Sequence, residues 1–451
     1  MKSTLEDLGG LLAPLHRAQA QSATAFPGDS TARQPVHTVY GGAQLFKLDT
    51  AIRLGQAARR HAAEYFPDPD SLSEAYGLDG ELAAAVFARV GEKLEREPVE
   101  DLRIDFEDGY GHRPDAEEDL QAVIAAGEVA KGMEEGTLPP FLGIRIKPLT
   151  FELEARSIRT LDLFLTALAE GSGGRLPANF VVTLPKVTLR EEVAACVALL
   201  DKLERALGFG SGALRLELMV ETTQALIDEQ GRAALPELVD AAQGRCVGAH
   251  FGVYDYTAAC NLIAAHQKMR HRVCDFARHL MQVTLSCRGV NLSDGATNLM
   301  PVGPHRAKEG GALSAAELAE NRSTVHRISK LNYDDVRHSL EGGYYQGWDL
   351  HPAQVPIRYT AVYAFFLEQL GEMTARLSSF IGKSAQATLL GEVFDDAATG
   401  QALLNFFLRG LACGAITEEE VLRTGLTLEE IRSRSFKSIL AGRRAKAGGG
   451  A

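Results

Sequence analysis

The sequence predicts an α/β protein built as a TIM (β/α)8 barrel, with a helical insertion after the first strand and a helical C-terminal extension. Three observations carry this reading. Strand-like segments recur near residues 36, 103, 143, 181, 216, 247, 283 and 347. Each is followed by text with helical periodicity. The series fills residues 34–356, enough for a barrel that takes about 250 residues before insertions. A doubly wound open sheet is the competing arrangement; the count of eight favours the barrel.

Residues 1–33 read as a short amphipathic helix followed by the polar loop AFPGDSTARQP. PVHTVYGG (35–42) is rich in β-branched and aromatic residues and stops at Gly-Gly, as a strand entering a tight turn does. The insertion, 44–97, is helical apart from the break FPDPD, with a helix start at Asp70-Ser71. Strands follow at DLRIDFEDG (101–109), PFLGIRIKPL (140–149), NFVVTLPKV (179–187), LRLELMVET (214–222), CVGAHFGVYDY (246–256) and MQVTLSCRGVNL (281–292). Helices are expected at 115–135, 152–170, 189–208, 223–243, 257–280, 314–330 and 333–341, and GGYYQGWDLHP (342–352) ends the series. The extension, 357–440, is helical, with capping boxes at Thr417–Glu420 and Thr427–Glu430. It is expected to pack on the barrel or on a neighbouring subunit. Residues 441–451 read as a flexible tail.

Composition narrows the function classes. Lys plus Arg is 47 and Asp plus Glu is 59, a net charge of −12, which argues against binding nucleic acid through its phosphates. The longest nearly apolar stretches, such as VAACVALL (193–200), fall far short of the roughly 20 residues a spanning helix needs. No basic segment and apolar run open the chain, so the expected location is the cytoplasm. The six cysteines form no C-x-x-C pair and read as buried free thiols.

In such barrels the reactive groups sit at the C-terminal ends of the strands. That rule selects Asp105, Glu107 and Asp108 after the second strand, Arg145 and Lys147 after the third, and Lys186 after the fourth. Glu221, Asp255, Asp294 and His351 follow the fifth to eighth, and His37 and Tyr40 near the first are weaker candidates. Carboxylates and cations in one mouth suit a hard divalent cation with an anionic organic ligand. Glu221 closes a strand in which Leu214, Leu216, Leu218 and Val220 share one side, and Arg215, Glu217 and Met219 share the other. A carboxylate there is costly unless paired or bound to a metal. Its alternative is a helix N-terminal carboxylate, and the alternative for Asp255 is an N-cap. Arg145 could clamp a carboxylate with two parallel hydrogen bonds; its alternative is an ion pair to Glu107 or Asp108. For Lys186 an ion pair is favoured over a Schiff base. His351, before Pro352, is equally consistent with a structural role. Zinc is disfavoured, because no H-E-x-x-H or other His and Cys ligand spacing is present.

IDFEDGYG (104–111), GIRIKPL (143–149), TLPKV (183–187), LELMVET (216–222), GVYDYTAA (252–259) and DLHPAQV (349–355) occur in the order seen in citrate lyase β-subunit-like proteins. The chain thus resembles the HpcH/HpaI aldolase and citrate lyase superfamily over about 100–356. The resemblance implies a TIM barrel, bound Mg2+ held by Glu221 and Asp255, and Arg145 contacting a keto acid or its enolate. Glu107 and Asp108 would support Arg145 and waters around the metal, with Lys186 and His351 matching motif positions. The implied activity is a Mg2+-dependent carbon–carbon lyase or aldolase acting on a 2-keto acid or hydroxy acid, with a CoA thioester as a candidate form of the substrate. Two departures stand out. Val39-Tyr40-Gly41-Gly42-Ala43 lacks the arginine of the family's V-P-G-N-R-like turn, and the third strand reads Arg145-Ile146-Lys147 rather than R-x-N. A malate-synthase-like condensing enzyme or an acyl-CoA thioester hydrolase is the enzymatic alternative, and phosphoryl chemistry on a related barrel a third. A noncatalytic metabolite-binding protein is the alternative of another class. No nucleic acid or membrane partner is expected, and the helical tail suggests a homo-oligomer.

Overall fold

Eight strands of three to six residues form the centre: β1 His37–Gly42, β2 Asp101–Asp105, β3 Phe141–Arg145, β4 Phe180–Leu184, β5 Arg215–Val220, β6 Cys246–Phe251, β7 Asn291–Ser293 and β8 Gly347–Asp349. In this computed structural model, residues 9–28, 33–307, 311–382, 388–390, 393–395 and 397–448 are described. The strands pair in parallel in the order β7-β6-β5-β4-β3-β2-β1-β8. A bridge between Ser293 and Gln346 joins the two ends. There the Asp294 N–H donates to Gln346 O at 2.8 Å and the Trp348 N–H to Gly295 O at 3.1 Å. The result is the eight-stranded parallel barrel that the sequence predicts.

Helices alternate with the strands. α1 Gly9–Ala25 precedes the barrel, and α2 Thr50–Tyr65, α3 Pro69–Tyr76 and α4 Gly80–Arg96 make the insertion. α5 Asp115–Glu135, α6 Glu154–Ser172 and α7 Arg190–Leu207 cover β2 to β5, then come α8 Thr223–Leu226, α9 Leu235–Ala241, α10 Val253–Ala259, α11 Arg272–Leu285 and α12 Ala315–Glu341. After β8 run α13 Val355–Gly382, α14 Ala397–Ala412, α15 Glu418–Leu422, α16 Leu428–Arg432 and α17 Phe436–Gly448, and between α13 and α14 a short antiparallel pair, β9 Thr388–Leu390 with β10 Val393–Asp395, interrupts the extension read as helical throughout.

Two cores result. One lies between the barrel and its surrounding helices and contains Ile104, Ile144, Val182, Leu216 and Phe164. The other joins the insertion to α12, α13 and the C-terminal helices. α4 begins where the Asp79 side chain accepts the Leu82 N–H, and buries Ala83, Val86, Val90 and Leu94 on one face. That face packs with Tyr363, Phe366, Leu404 and Phe407 in the second core. Arg89 ties α4 to the extension through Ala415 O and the Glu420 carboxylate, both at 2.5 Å. Among the described residues, Leu403, Leu404, Phe407, Ile416, Val421 and Ile431 of the extension are buried in this second core.

Differences from the sequence reading have local causes. Met281 and Leu285 belong to α11, not to the seventh strand, because they continue the buried face of Cys274, Ala277 and Arg278 at helical spacing. The strand itself is only Asn291–Ser293. The stretch 223–243, read as helical with a glycine interruption, is two short helices separated by a turn in which Asp228 accepts from the Gln230 and Arg232 N–H groups. The helices expected at 314–330 and 333–341 are one. α17 runs to Gly448 through most of the segment read as a flexible tail, while 449–451 lie outside the described residues. All six cysteines are free, but Cys287, in a turn at φ 62°, is exposed. No helix among the described residues is long and apolar enough to cross a membrane.

The barrel interior is ionic. Arg103 donates to both Glu217 oxygens, at 2.7 and 3.0 Å, and pairs with Asp101. Thr183 Oγ1 donates to Glu217 at 3.0 Å, and Thr38 Oγ1 to Asp101 at 2.8 Å. Gly143 makes room, since a Cβ there would sit 2.5 Å from Val181 O and 3.0 Å from Arg103 Cδ. These buried charges hold one another in a place usually filled by branched apolar side chains.

Candidate active site

The register of β2 and β3 sets Asp105 beside Arg145 at the top of the barrel. Asp105 Oδ1 accepts from Arg145 Nε at 2.8 Å and from the Glu107 N–H at 2.9 Å. Its Oδ2 accepts from Arg145 Nη2 at 2.5 Å and from the Gly109 N–H at 2.7 Å. One buried carboxylate thus folds the 105–109 turn and fixes the guanidinium. The turn presents Glu107 and Asp108, whose carboxylates lie 3.0 and 3.8 Å from Arg145 Nη1. Arg145 therefore does pair with its neighbours, and its Nε edge is already occupied by Asp105.

Lys186 follows Pro185 at the end of β4 with φ 50°, a left-handed conformation uncommon for a lysine. That backbone aims its N–H at Glu221 Oε1, 2.7 Å away. Its ammonium meets Glu107, and lies 3.4 Å from Asp108 and 3.7 Å from Asp255. Burial disfavours the ammonium, but Glu221, Glu107 and Asp108 outweigh it and raise its pKa. Burial raises the Glu107 carboxyl despite Arg145 and Lys186. For Asp108, burial acts upward, but the same two cations win and lower it.

Glu221 is fully enclosed. Burial pushes its carboxyl up to about 8, with Asp255 and Glu107 adding to the rise against Lys186 and Arg145. It does not cap the helix after it, because Thr222 Oγ1 does so by accepting the Ala225 N–H at 3.1 Å. Asp255 lies in the first turn of α10, whose N-cap is Gly252, and its side chain is 45% exposed. The β6–α10 junction packs directly on Glu221: a Cβ on Gly252 would fall 2.5 Å from both Glu221 Cβ and Oε2. Gly252→Ala is expected to displace Glu221, with overpacking costing about 1–3 kcal/mol of stability. A thermal melt checks this; an unchanged melt would show that Glu221 yields to the added methyl.

The cluster therefore unites Asp105, Glu107, Asp108, Arg145, Lys186, Glu221 and Asp255. Lys147 is absent from it, buried against Phe106 O at 2.6 Å and Glu118 at 2.7 Å. Asp294 is held by Arg278 and Ser339. His37 is fully buried, accepting the Glu100 N–H at 3.0 Å. His351 caps the short helix 352–354 by accepting the Ala353 N–H at 3.2 Å. It makes no hydrogen bond or ion pair with the cluster among the described residues. Tyr40 does join, its ring centroid 4.9 Å from the Arg145 guanidinium carbon.

Five carboxylates thus face two cations. All are hard oxygen donors, and the excess negative charge surrounds Glu221 and Asp255, which fits a divalent cation such as Mg2+. Among the described residues no three His, Cys, Asp or Glu side chains converge as a ready-made metal cage. Two carboxylates completed by water and substrate oxygens are the usual Mg2+ arrangement.

The family model described as a domain of unknown function (DUF6986) matches residues 15–439. The chain belongs to the DUF6986 family. That match covers the barrel, the insertion and nearly all of the extension of this DUF6986 chain. The sequence matches no curated protein. Its structure is similar to a citrate lyase from Burkholderia xenovorans LB400, with TM-score 0.57 and 18% identity, over 88% of this chain and 98% of that one. This likeness establishes the citrate-lyase-like barrel fold. CitE from Mycobacterium tuberculosis, in complex with magnesium, acetoacetate and coenzyme A, aligns with TM-score 0.46 and 15% identity over 85% and 99% of the two chains. A Haloferax volcanii malate synthase in a magnesium and glyoxylate complex aligns at 0.43 and 16% over 88% and 97%.

Proposed function

We propose that this chain is a Mg2+-dependent lyase or condensing enzyme that breaks or forms a carbon–carbon bond on a 2-keto acid or hydroxy acid through an enolate. The observation that carries the reading is the cluster at the barrel mouth: two carboxylates, Glu221 and Asp255, beside the fixed cations Arg145 and Lys186. Glu221 and Asp255 would hold Mg2+, which when bound supplies Lewis acidity at a carbonyl oxygen.

The chain's own groups do the rest. Arg145, immobilised by Asp105, places lasting positive charge where the substrate carboxylate and developing enolate oxygen gather negative charge. Because Asp105 occupies the Nε edge, substrate must approach through Nη1, past Glu107 and Asp108. Lys186 keeps Glu107 and Asp108 in place by pairing with both. That carboxylate pair supplies the acceptor for the hydroxyl proton in the cleavage direction.

Enolate formation can be tested without knowing the second substrate. In D2O, the protein with Mg2+ is expected to exchange the methyl protons of pyruvate, read by proton NMR, and chelation of the metal is expected to stop it. Absence of exchange, together with absence of cleavage across a panel of 2-keto and hydroxy acids and their CoA thioesters, would reject the reading.

A further inference from the structure

Asp105 and Glu107 hold the guanidinium of Arg145 from its edge. Its face is covered by Tyr40, at 4.9 Å. Tyr40 is itself held from two sides. Its hydroxyl donates to Met219 Sδ at 3.8 Å, and its ring packs on Trp348 with centroids 4.7 Å apart. The Trp348 indole Nε1–H donates to His250 Nδ1 at 3.0 Å. That bond leaves His250 Nε2 as the protonated nitrogen, 3.3 Å from Glu217 Oε1. Glu217 in turn is locked to Arg103 in the barrel interior. Tyr40 and Trp348 both remain partly exposed.

From this chain of contacts we infer that Tyr40 and Trp348 are positioning residues for Arg145. They form an aromatic platform, anchored through His250 to the ionic barrel core, that sets the plane in which the guanidinium meets the carboxylate of a small 2-keto acid. The inference rests on the reading of Arg145 as a substrate contact. It assigns the platform a role in substrate binding, separate from metal binding, because Tyr40 and Trp348 touch neither Glu221 nor Asp255 in any hydrogen bond among the described residues. A cation over an aromatic face is attracted by the ring's negative centre, and the attraction strengthens where water is excluded.

Trp348 is the single tryptophan of the sequence, so emission excited at the red edge, where tyrosine does not absorb, reports on the platform alone. In the full-length protein with Mg2+, adding pyruvate is expected to change Trp348 emission, and in Arg145→Lys that change is expected to vanish. Tyr40→Leu is expected to weaken pyruvate binding by roughly 10-fold, with Mg2+ affinity unchanged. Tyr40→Phe, which keeps the ring and loses the hydroxyl, should restore binding to within about 2-fold, which a merely structural role for the position would not explain. Pyruvate binding lost in Arg145→Lys but intact in Tyr40→Leu would overturn the platform while leaving the Arg145 assignment standing. Binding intact in Arg145→Lys would overturn both. Should Tyr40→Leu fail to fold, the native protein still decides: silent Trp348 emission at saturating pyruvate would reject the inference.

Discussion

Glu221→Gln and Asp255→Asn are each expected to lower Mg2+-supported turnover by about 10³-fold or more, the scale on which a Lewis acid stabilises developing charge. Both substitutions keep the side-chain shape and remove the carboxylate that would bind the cation. Glu221 lies against Gly252 and receives the Lys186 N–H, so an isosteric amide preserves the packing. The fold should survive, because Glu107 and Asp108 still pair with Lys186 and the amide oxygen of Gln can still accept the Lys186 N–H. Calorimetric Mg2+ titration, a thermal melt and the pyruvate exchange rate give the three readouts. Loss of metal affinity and exchange with an unchanged melt is the expected pattern. Wild-type exchange in both variants would remove these two residues from the metal site.

The second large effect concerns stability. Arg103→Ala is expected to cost about 3–5 kcal/mol, read from urea denaturation, because it leaves Asp101 and Glu217 buried without their shared cation. Exposed pairs make the contrast. Arg423 and Glu419 on α15 and its C-cap are both well exposed, and breaking that pair should cost less than about 1 kcal/mol. A cost below about 1 kcal/mol for Arg103→Ala would mean that the interior relaxes or admits water around the two carboxylates.

Much of the candidate site was legible because a barrel strand has a direction and its end is marked in the text. IDFEDG, GIRIK, TLPK, LMVE and GVYD each break from apolar into charged residues, and Asp105, Glu107, Asp108, Arg145, Lys186, Glu221 and Asp255 follow from that transition. The same rule misplaces Lys147 and Asp294. Strand alternation stops at Arg145 and at Ser293, and beyond those points the backbone turn decides which way a side chain faces. Lys147 turns to Glu118 on α5, and Asp294 to Arg278 on α11. Trp348 went unnoticed because its neighbours, Tyr40 on the adjacent β1 and His250 on β6, are distant in sequence and no local pattern joins them.

Taken alone, the sequence determined the eight alternating units, the helical insertion and extension, and the set of charged residues at the strand ends, since apolar periodicity and chain direction are local properties. Only the tertiary structure decided which charge meets which. Pairing of β2 with β3 sets Arg145 beside Asp105, and the curl of the barrel brings Arg103 on β2 to Glu217 on β5 and Trp348 on β8 to His250 on β6. Coulombic and hydrogen-bond energies fall steeply with distance, so partners remote in the chain acquire meaning only once the barrel has set them a few ångströms apart.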